Sequence, residues 1–128
     1  MDISEIIKAA KLGRARKDAQ VDTCGVFAAA LFDILVACEI PCQMICAVNK
    51  EGINGWAHLV VEVDGRYYDS LGEFSTAIYR ERAKIHPSVS VTIKFRKDFR
   101  SDCYEPEFDE MYIFYVKALK KLMTATIV

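Results

Sequence analysis

Three stretches of the chain carry apolar residues at helical spacing. The first, residues 3–10, repeats an apolar residue every three or four positions and predicts a short helix. The second, residues 23–38, is apolar on almost every face and predicts a buried helix, for which Asp22 is a suitable N-cap. The third, residues 107–123, predicts an amphipathic helix. Residues 14–21 are mostly polar and predict a loop.

The β-prone segments lie between the second and third of these helices. Residues 42–48 predict a strand, and residues 49–55, which are rich in Asn and Gly, predict a loop. Residues 56–63 form the clearest strand of the chain, and the pair Asp64-Gly65 after it is a preferred two-residue hairpin turn. Residues 66–69 are then the returning strand of a β-hairpin.

The order of these elements indicates the fold class. Residues 76–84 predict a further short helix, and residues 89–96 alternate as a further strand. Helices therefore flank a meander of strands, which is typical of an α+β fold. The chain has 128 residues, too few for two full-sized domains. We expect one domain over residues 1–128, with the helix at 23–38 packed on an antiparallel sheet.

The charge of the chain does not indicate a nucleic-acid or membrane partner. It has 17 basic and 18 acidic residues, a formal net charge of -1, and nearby acids offset its basic clusters. No apolar run approaches the roughly 18 residues that a membrane-spanning helix needs. We therefore expect neither kind of partner.

The cysteines indicate the compartment. The number of cysteines, five, is odd, and no charged-then-apolar leader opens the sequence. We therefore expect a cytoplasmic protein, with export without a cleavable leader left open.

Three of the cysteines, Cys38, Cys42 and Cys46, are spaced by four residues but lack the CxxC pairs of a zinc site, so no metal is expected. Cys103 lies in a polar segment and favours an incidental thiol.

The predicted hairpin brings a histidine and an aspartate together. With Asp64-Gly65 as a two-residue turn, residues that face each other have numbers summing to 129, so Asp69 lies opposite Val60. Because side chains alternate along a strand, His58 shares a face with Val60 and is a diagonal neighbour of Asp69. Such neighbours are about 7–8 Å apart, a gap that an imidazole and a carboxylate can bridge. A bulged turn would move Asp69 to the other face.

Cys24 is a candidate nucleophile because it lies at the start of the buried helix. Backbone N–H groups without intrahelical partners and the helix dipole favour a thiolate at this position. His58 can accept or share the thiol proton, and Asp69 can fix its tautomer, which completes a nucleophilic triad. His86, before Pro87, lacks a carboxylate placed by a recognisable hairpin and is expected to be a loop residue.

Further residues are candidates for transition-state stabilisation and substrate binding. The backbone N–H of Cys24 is one candidate donor to an oxyanion, and the side-chain amide of Gln20, four residues earlier, is another. Trp56 shares a face with His58 and either lines a substrate groove or packs in the core. No metal or organic cofactor is required, since the nucleophile, base and oxyanion donors are all protein groups.

Two segments, DTCGVF at 22–27 and WAHLVVEVDGRYYD at 56–69, resemble the papain-like cysteine peptidase superfamily, especially its transglutaminase-like and small bacterial cysteine-peptidase branches. The resemblance spans roughly residues 20–70. It implies a papain-like minimal core in which Cys24 begins a buried helix and His58 and Asp69 lie on adjacent antiparallel strands. Similarity to the NlpC/P60 peptidoglycan hydrolases is poorer, because those enzymes generally separate cysteine and histidine more widely.

These observations favour a thiol hydrolase that acts on a protein or peptide substrate through an acyl-enzyme. Two alternatives stay open, a catalytically silent interaction domain of the same fold and a transglutaminase-type acyltransferase. The silent domain predicts an unreactive Cys24, whereas the acyltransferase predicts incorporation of an amine donor. The sequence leaves the physiological substrate and the oligomeric state open.

Overall fold

A computed structural model describes residues 2–20, 23–49 and 56–127, with side chains up to Met123. The helices are α1 (Ile3–Ala9), α2 (Ala15–Asp18), α3 (Cys24–Ala37), α4 (Thr76–Arg82) and α5 (Asp109–Ile127), and the strands are β1 (Gln43–Asn49), β2 (Trp56–Val63), β3 (Arg66–Asp69), β4 (Gly72–Phe74) and β5 (Ile93–Lys97). Two 3-10 turns, Arg100–Asp102 and Pro106–Phe108, lead into α5. The fold is therefore mixed α+β.

The five strands form one antiparallel sheet in the order β4-β3-β2-β1-β5. The hairpin β2–β3 occupies its centre, and β1 pairs along its full length with residues Trp56 to Glu62 of β2. In the turn, Asp64 has φ 54° and Gly65 has φ 82°, the two positive values that a type I′ hairpin turn requires. The twist of this turn matches that of the strands, so the hairpin closes without a bulge.

The two faces of the sheet are covered differently. On one face α3 packs against β2 and against α5, and nine of the fourteen residues of α3 are buried. Phe27 of α3 meets Tyr115 of α5 edge to face, with ring centroids 5.3 Å apart. The other face carries a smaller apolar cluster that includes Val60 and Phe74, against which Trp56 and the α4 residue Tyr79 pack. The helix predicted to be buried is thus the centre of the main core.

The structure confirms the predicted hairpin and corrects several boundaries. The polar segment 14–21 is not entirely a loop, since Ala15–Asp18 form one helical turn, to which Tyr115 is tied by donating its hydroxyl to Ala15 O at 2.8 Å. The last strand begins at Ile93 rather than at residue 89, and the segment after β3 forms the short strand β4. Asp22 and residues 50–55 lie outside the described residues.

Among the helices in the described part of the chain, none is long and apolar enough to cross a membrane.

Candidate active site

The hairpin places His58 and Asp69 in direct contact. Val61 pairs with Tyr68 and Val63 with Arg66, the predicted register, which continues to put Asp69 opposite Val60. The Nε2 atom of His58 lies 3.0 Å from Oδ2 of Asp69, and the two residues are only 7% and 2% exposed. A charge-assisted hydrogen bond between such buried groups fixes the plane of the imidazole.

Arg82, the last residue of α4, anchors the same carboxylate from the opposite side. Its Nη1 donates to Oδ2 of Asp69 at 2.7 Å, and its Nη2 donates to Oδ1 at 3.2 Å and to the carbonyl of Glu73 at 3.0 Å. The backbone N–H of Leu71 also donates to Oδ1, at 3.0 Å. Asp69 therefore bridges His58 and a fixed guanidinium, and both of its oxygens are satisfied.

Cys24 is the first residue of α3 and reaches His58 from the helix side of the sheet. Its Sγ accepts a hydrogen bond from the backbone N–H of Leu59 at 3.5 Å and interacts with the His58 ring. Since Nε2 of His58 is engaged by Asp69, Nδ1 is the ring nitrogen left for the thiol. The imidazole thus lies between the thiol and the carboxylate.

A tight backbone contact sets the position of Cys24. At the next residue, Gly25, an added Cβ would lie 1.9 Å from the carbonyl oxygen of Cys103 and 3.0 Å from the side chain of Leu59. Only glycine allows the first turn of α3 to approach these groups so closely. The Cys-Gly pair seen in the sequence is therefore a packing requirement as well as part of the candidate site.

The surroundings of the three side chains shift their pKa values towards the charged forms. Burial opposes ionisation of the Cys24 thiol, but hydrogen bonds from His58 and from Leu59 N–H outweigh it, so the pKa lies below the ordinary 9.0. Burial likewise opposes protonation of His58, but bonds to Asp69 and Cys24 raise its pKa to about 9. Despite its burial, Asp69 has a lowered pKa, because His58 and Arg82 both donate to it.

Three other thiols differ from Cys24 in the direction of their pKa shifts. Burial raises the pKa of Cys103 to about 11, and burial also raises the pKa values of Cys42 and Cys46. Among the described residues, no group of three or more His, Cys, Asp or Glu side chains could hold a metal ion. Cys24 is accordingly the thiol whose environment favours the thiolate.

Gln20 lies in the same network, bound to residues around Asp69. Its Nε2 donates to Ser70 Oγ at 2.8 Å, and its Oε1 accepts a longer bond of 3.4 Å from Arg82 Nη1. One of the two Nε2 hydrogens is thus engaged by Ser70. The predicted oxyanion role for Gln20 would use the other hydrogen, and it stays a prediction.

The structure places Trp56 beside His58, at the edge of a cavity, and His86 in a loop. Trp56 packs edge to face on His58, with ring centroids 6.4 Å apart, and lines a cavity of about 530 Å³ that His58 and Gln20 also line. His86 lies in the loop after α4, where Ser88 bonds its Nδ1. The prediction of a loop position for His86 is confirmed.

Sequence reasoning missed Arg82 and the N–H of Leu59. Arg82 appears in the sequence as one of several charges at the end of a predicted helix, and no spacing rule connects it with Asp69. The one available signal was that Arg82, a charged residue without a predicted role, follows Asp69 in the sequence. That signal has low specificity. The N–H of Leu59 carries no sequence signal, since its role depends on where α3 packs.

Comparison of the chain with family models, with curated proteins and with solved structures gave no match.

Proposed function

We propose that this protein is a thiol hydrolase of the papain-like, transglutaminase-like type, which cleaves peptide or isopeptide bonds with Cys24 as nucleophile. The observation that carries the proposal is the buried His58 ring between the Asp69 carboxylate, 3.0 Å away, and the Cys24 thiol. The raised pKa of His58, about 9, and the lowered pKa of Cys24 favour an imidazolium–thiolate pair near neutral pH.

His58 supplies the proton that the leaving amine needs and takes one back from water. The Cys24 sulfur attacks the carbonyl carbon, a C–S bond forms, and the C=O electron pair moves onto oxygen. As the C–N bond breaks, His58 gives its proton to the leaving amine, and a thioester remains on Cys24. Water then attacks the thioester while His58 accepts a proton from it; the C–S bond breaks, the carboxylic acid leaves, and the imidazolium–thiolate pair is restored.

Asp69 and Arg82 act through His58 in this scheme and not on the reacting carbonyl. Asp69 stabilises the imidazolium and holds the ring in plane, and Arg82 holds Asp69. The backbone N–H of Cys24, at the first position of α3, lacks an acceptor within the helix and is the first donor we assign to the oxyanion. Gln20 is the second candidate donor.

The reactivity of Cys24 tests the proposal without knowledge of the substrate. Iodoacetamide at pH 6, with site-resolved mass spectrometry, should label Cys24 at least tenfold faster than Cys103, whose pKa of about 11 leaves almost no thiolate. His58→Ala should slow labelling of Cys24 at least tenfold. His86→Ala is the matched control, since His86 is exposed and bonded to Ser88, and it should leave labelling unchanged.

Peptide and isopeptide substrates test the reaction itself. Cleavage by the wild type should be abolished in Cys24→Ala and reduced at least a hundredfold in Asp69→Asn, because the amide cannot stabilise the imidazolium. Labelling of Cys24 no faster than that of Cys103, with no effect of His58→Ala, would instead support a catalytically silent domain.

A further inference from the structure

We propose that the cavity beside His58 binds a large apolar, preferably aromatic, group of the substrate, carried close to the carbonyl that Cys24 attacks. The inference rests on the proposed function and specifies its substrate class. The cavity has a volume of about 530 Å³, within the usual range of small-molecule sites and larger than one side chain.

Aromatic rings form the walls of the cavity. Trp56 from β2, Phe74 from β4 and Tyr79 from α4 line it. The Trp56 ring lies 4.9 Å from that of Tyr79 and 6.4 Å from that of Phe74, centroid to centroid, and is inclined to them by 56° and 79°. Rings set at such angles offer both faces and edges to a guest, the surfaces that another aromatic ring contacts most favourably.

Most polar groups of the walls are already engaged with one another, and the second Nε2 hydrogen of Gln20 is assigned to the oxyanion, so the cavity offers few hydrogen-bonding partners. Trp56 Nε1 donates to the Tyr79 hydroxyl at 3.1 Å. Arg82 is neutralised by Asp69, which accepts from both of its Nη atoms. A charged guest would have to compete for these partners, whereas an apolar guest only displaces water.

His58 belongs both to the proposed catalytic pair and to the wall of the cavity, while Cys24 itself does not line the cavity. His58 lines it, with its ring centroid 5.3 Å from that of Phe74, and the same imidazole interacts with the Cys24 thiol. A substrate whose carbonyl reaches Cys24 therefore has its nearest side chains within reach of the cavity. A group several residues away along the substrate would have to fold back to fill it.

Two electrophiles with one reactive group test this inference. N-benzyl- and N-methylchloroacetamide carry the same warhead and differ by a phenyl ring, and labelling rates at Cys24 are compared by site-resolved mass spectrometry. We expect the benzyl reagent to label Cys24 at least tenfold faster, since burial of a phenyl group is worth roughly that factor or more. The half-buried Cys46 of the same molecule should show a ratio near one.

Two variants link the ratio to the cavity. Ala83→Trp adds an indole at the exposed rim, where it can fill the space without loss of core packing, and Tyr79→Ala removes one wall. Both should bring the benzyl-to-methyl ratio at Cys24 close to that at Cys46. Phe99→Ala, the control, changes an aromatic side chain that is 71% exposed and lies outside the cavity lining, so the ratio should not change.

The possible results separate the two proposals. Fast labelling of Cys24 by both reagents at equal rates would overturn the apolar-substrate inference and leave the thiol hydrolase standing. A folded Ala83→Trp protein that keeps the full ratio would also overturn it. Slow labelling by both reagents, at the level of Cys103, would overturn the hydrolase and the inference together.

Discussion

Replacement of Arg82 by Met should destabilise the protein far more than replacement of an ordinary surface arginine. In the described structure the Asp69 oxygens accept from Arg82 Nη1 and Nη2, from His58 and from Leu71 N–H. Arg82→Met removes two of these four bonds, while Asp69 stays only 2% exposed. Methionine keeps much of the aliphatic volume, so the change acts mainly on the carboxylate.

The expected loss at pH 7 is about 2–4 kcal/mol of unfolding free energy. Removing one partner of a buried ion pair costs about 3–5 kcal/mol, because the other charge is left without compensation. His58 and Leu71 still donate to Asp69, and the Arg82 side chain is 25% exposed, so the lower part of that range applies. Arg82→Lys keeps the charge but not the paired geometry, and it should lose about half as much.

Acidification should reduce the difference between Arg82→Met and the wild type. Since the folded-state pKa of Asp69 is below the ordinary 3.8, its ionisation stabilises the fold above about pH 4. This contribution is lost as the pH falls through the folded-state pKa. The variant holds Asp69 less strongly as an anion, so it loses its smaller contribution at a higher pH. The two proteins converge as the pH falls through the folded-state pKa of Asp69 in the wild type.

Urea denaturation at pH 7 and pH 3, followed by circular dichroism, measures both effects. Arg66→Met is the matched control: Arg66 is 71% exposed, its contact with Glu73 is 3.6 Å, and its loss should cost under about 0.5 kcal/mol. A loss below about 1 kcal/mol for Arg82→Met at pH 7, or the same loss at both pH values, would refute the reasoning.

Three further predictions follow from the packing and the titrations. Gly25→Ala should lower the free energy of unfolding by at least about 2 kcal/mol in urea denaturation and slow labelling of Cys24, because the alanine Cβ meets the Cys103 carbonyl. Full labelling at wild-type stability would contradict this. Gly65→Ala should cost only about 1 kcal/mol, since nothing lies within 4 Å of its Cβ and only the positive φ is strained. Cys24→Ala should become less stable as the pH rises above 6.5, because the bond to Asp69 still raises the pKa of His58. The loss should end below the pH of about 9 that applies to the wild type, since Cys24 no longer contributes to that pKa. A flat pH profile would contradict the last prediction.

The hairpin could be predicted in detail because its determinants are local. The type I′ turn at Asp64-Gly65 fixes the pairing, and alternation of side chains then places His58 and Asp69 on one face. The helix that begins at Cys24 was predictable in the same way, from apolar residues on every side. Each of these conclusions needs only the sequence within one or two elements.

What could not be predicted depends on how elements pack together. Arg82 reaches Asp69 because α4 packs beside β4, and no pattern in either segment specifies that position. Gln20 bonds to Ser70 through a loop whose path the sequence does not determine. The closeness of Gly25 to Cys103 likewise arises only when the segment before α5 packs against α3.

The separation of the site residues along the chain has a consequence for folding. His58, Asp69 and Arg82 belong to one continuous stretch, 56–82, so the histidine, its carboxylate and the supporting guanidinium can assemble through short-range loop closure. Cys24 joins them from outside, through a contact with Leu59 that spans 35 positions. Partial unfolding that loosens α3 would therefore separate the thiol from its base while the buried ion pair stays assembled, and nucleophilicity should disappear before the hairpin does.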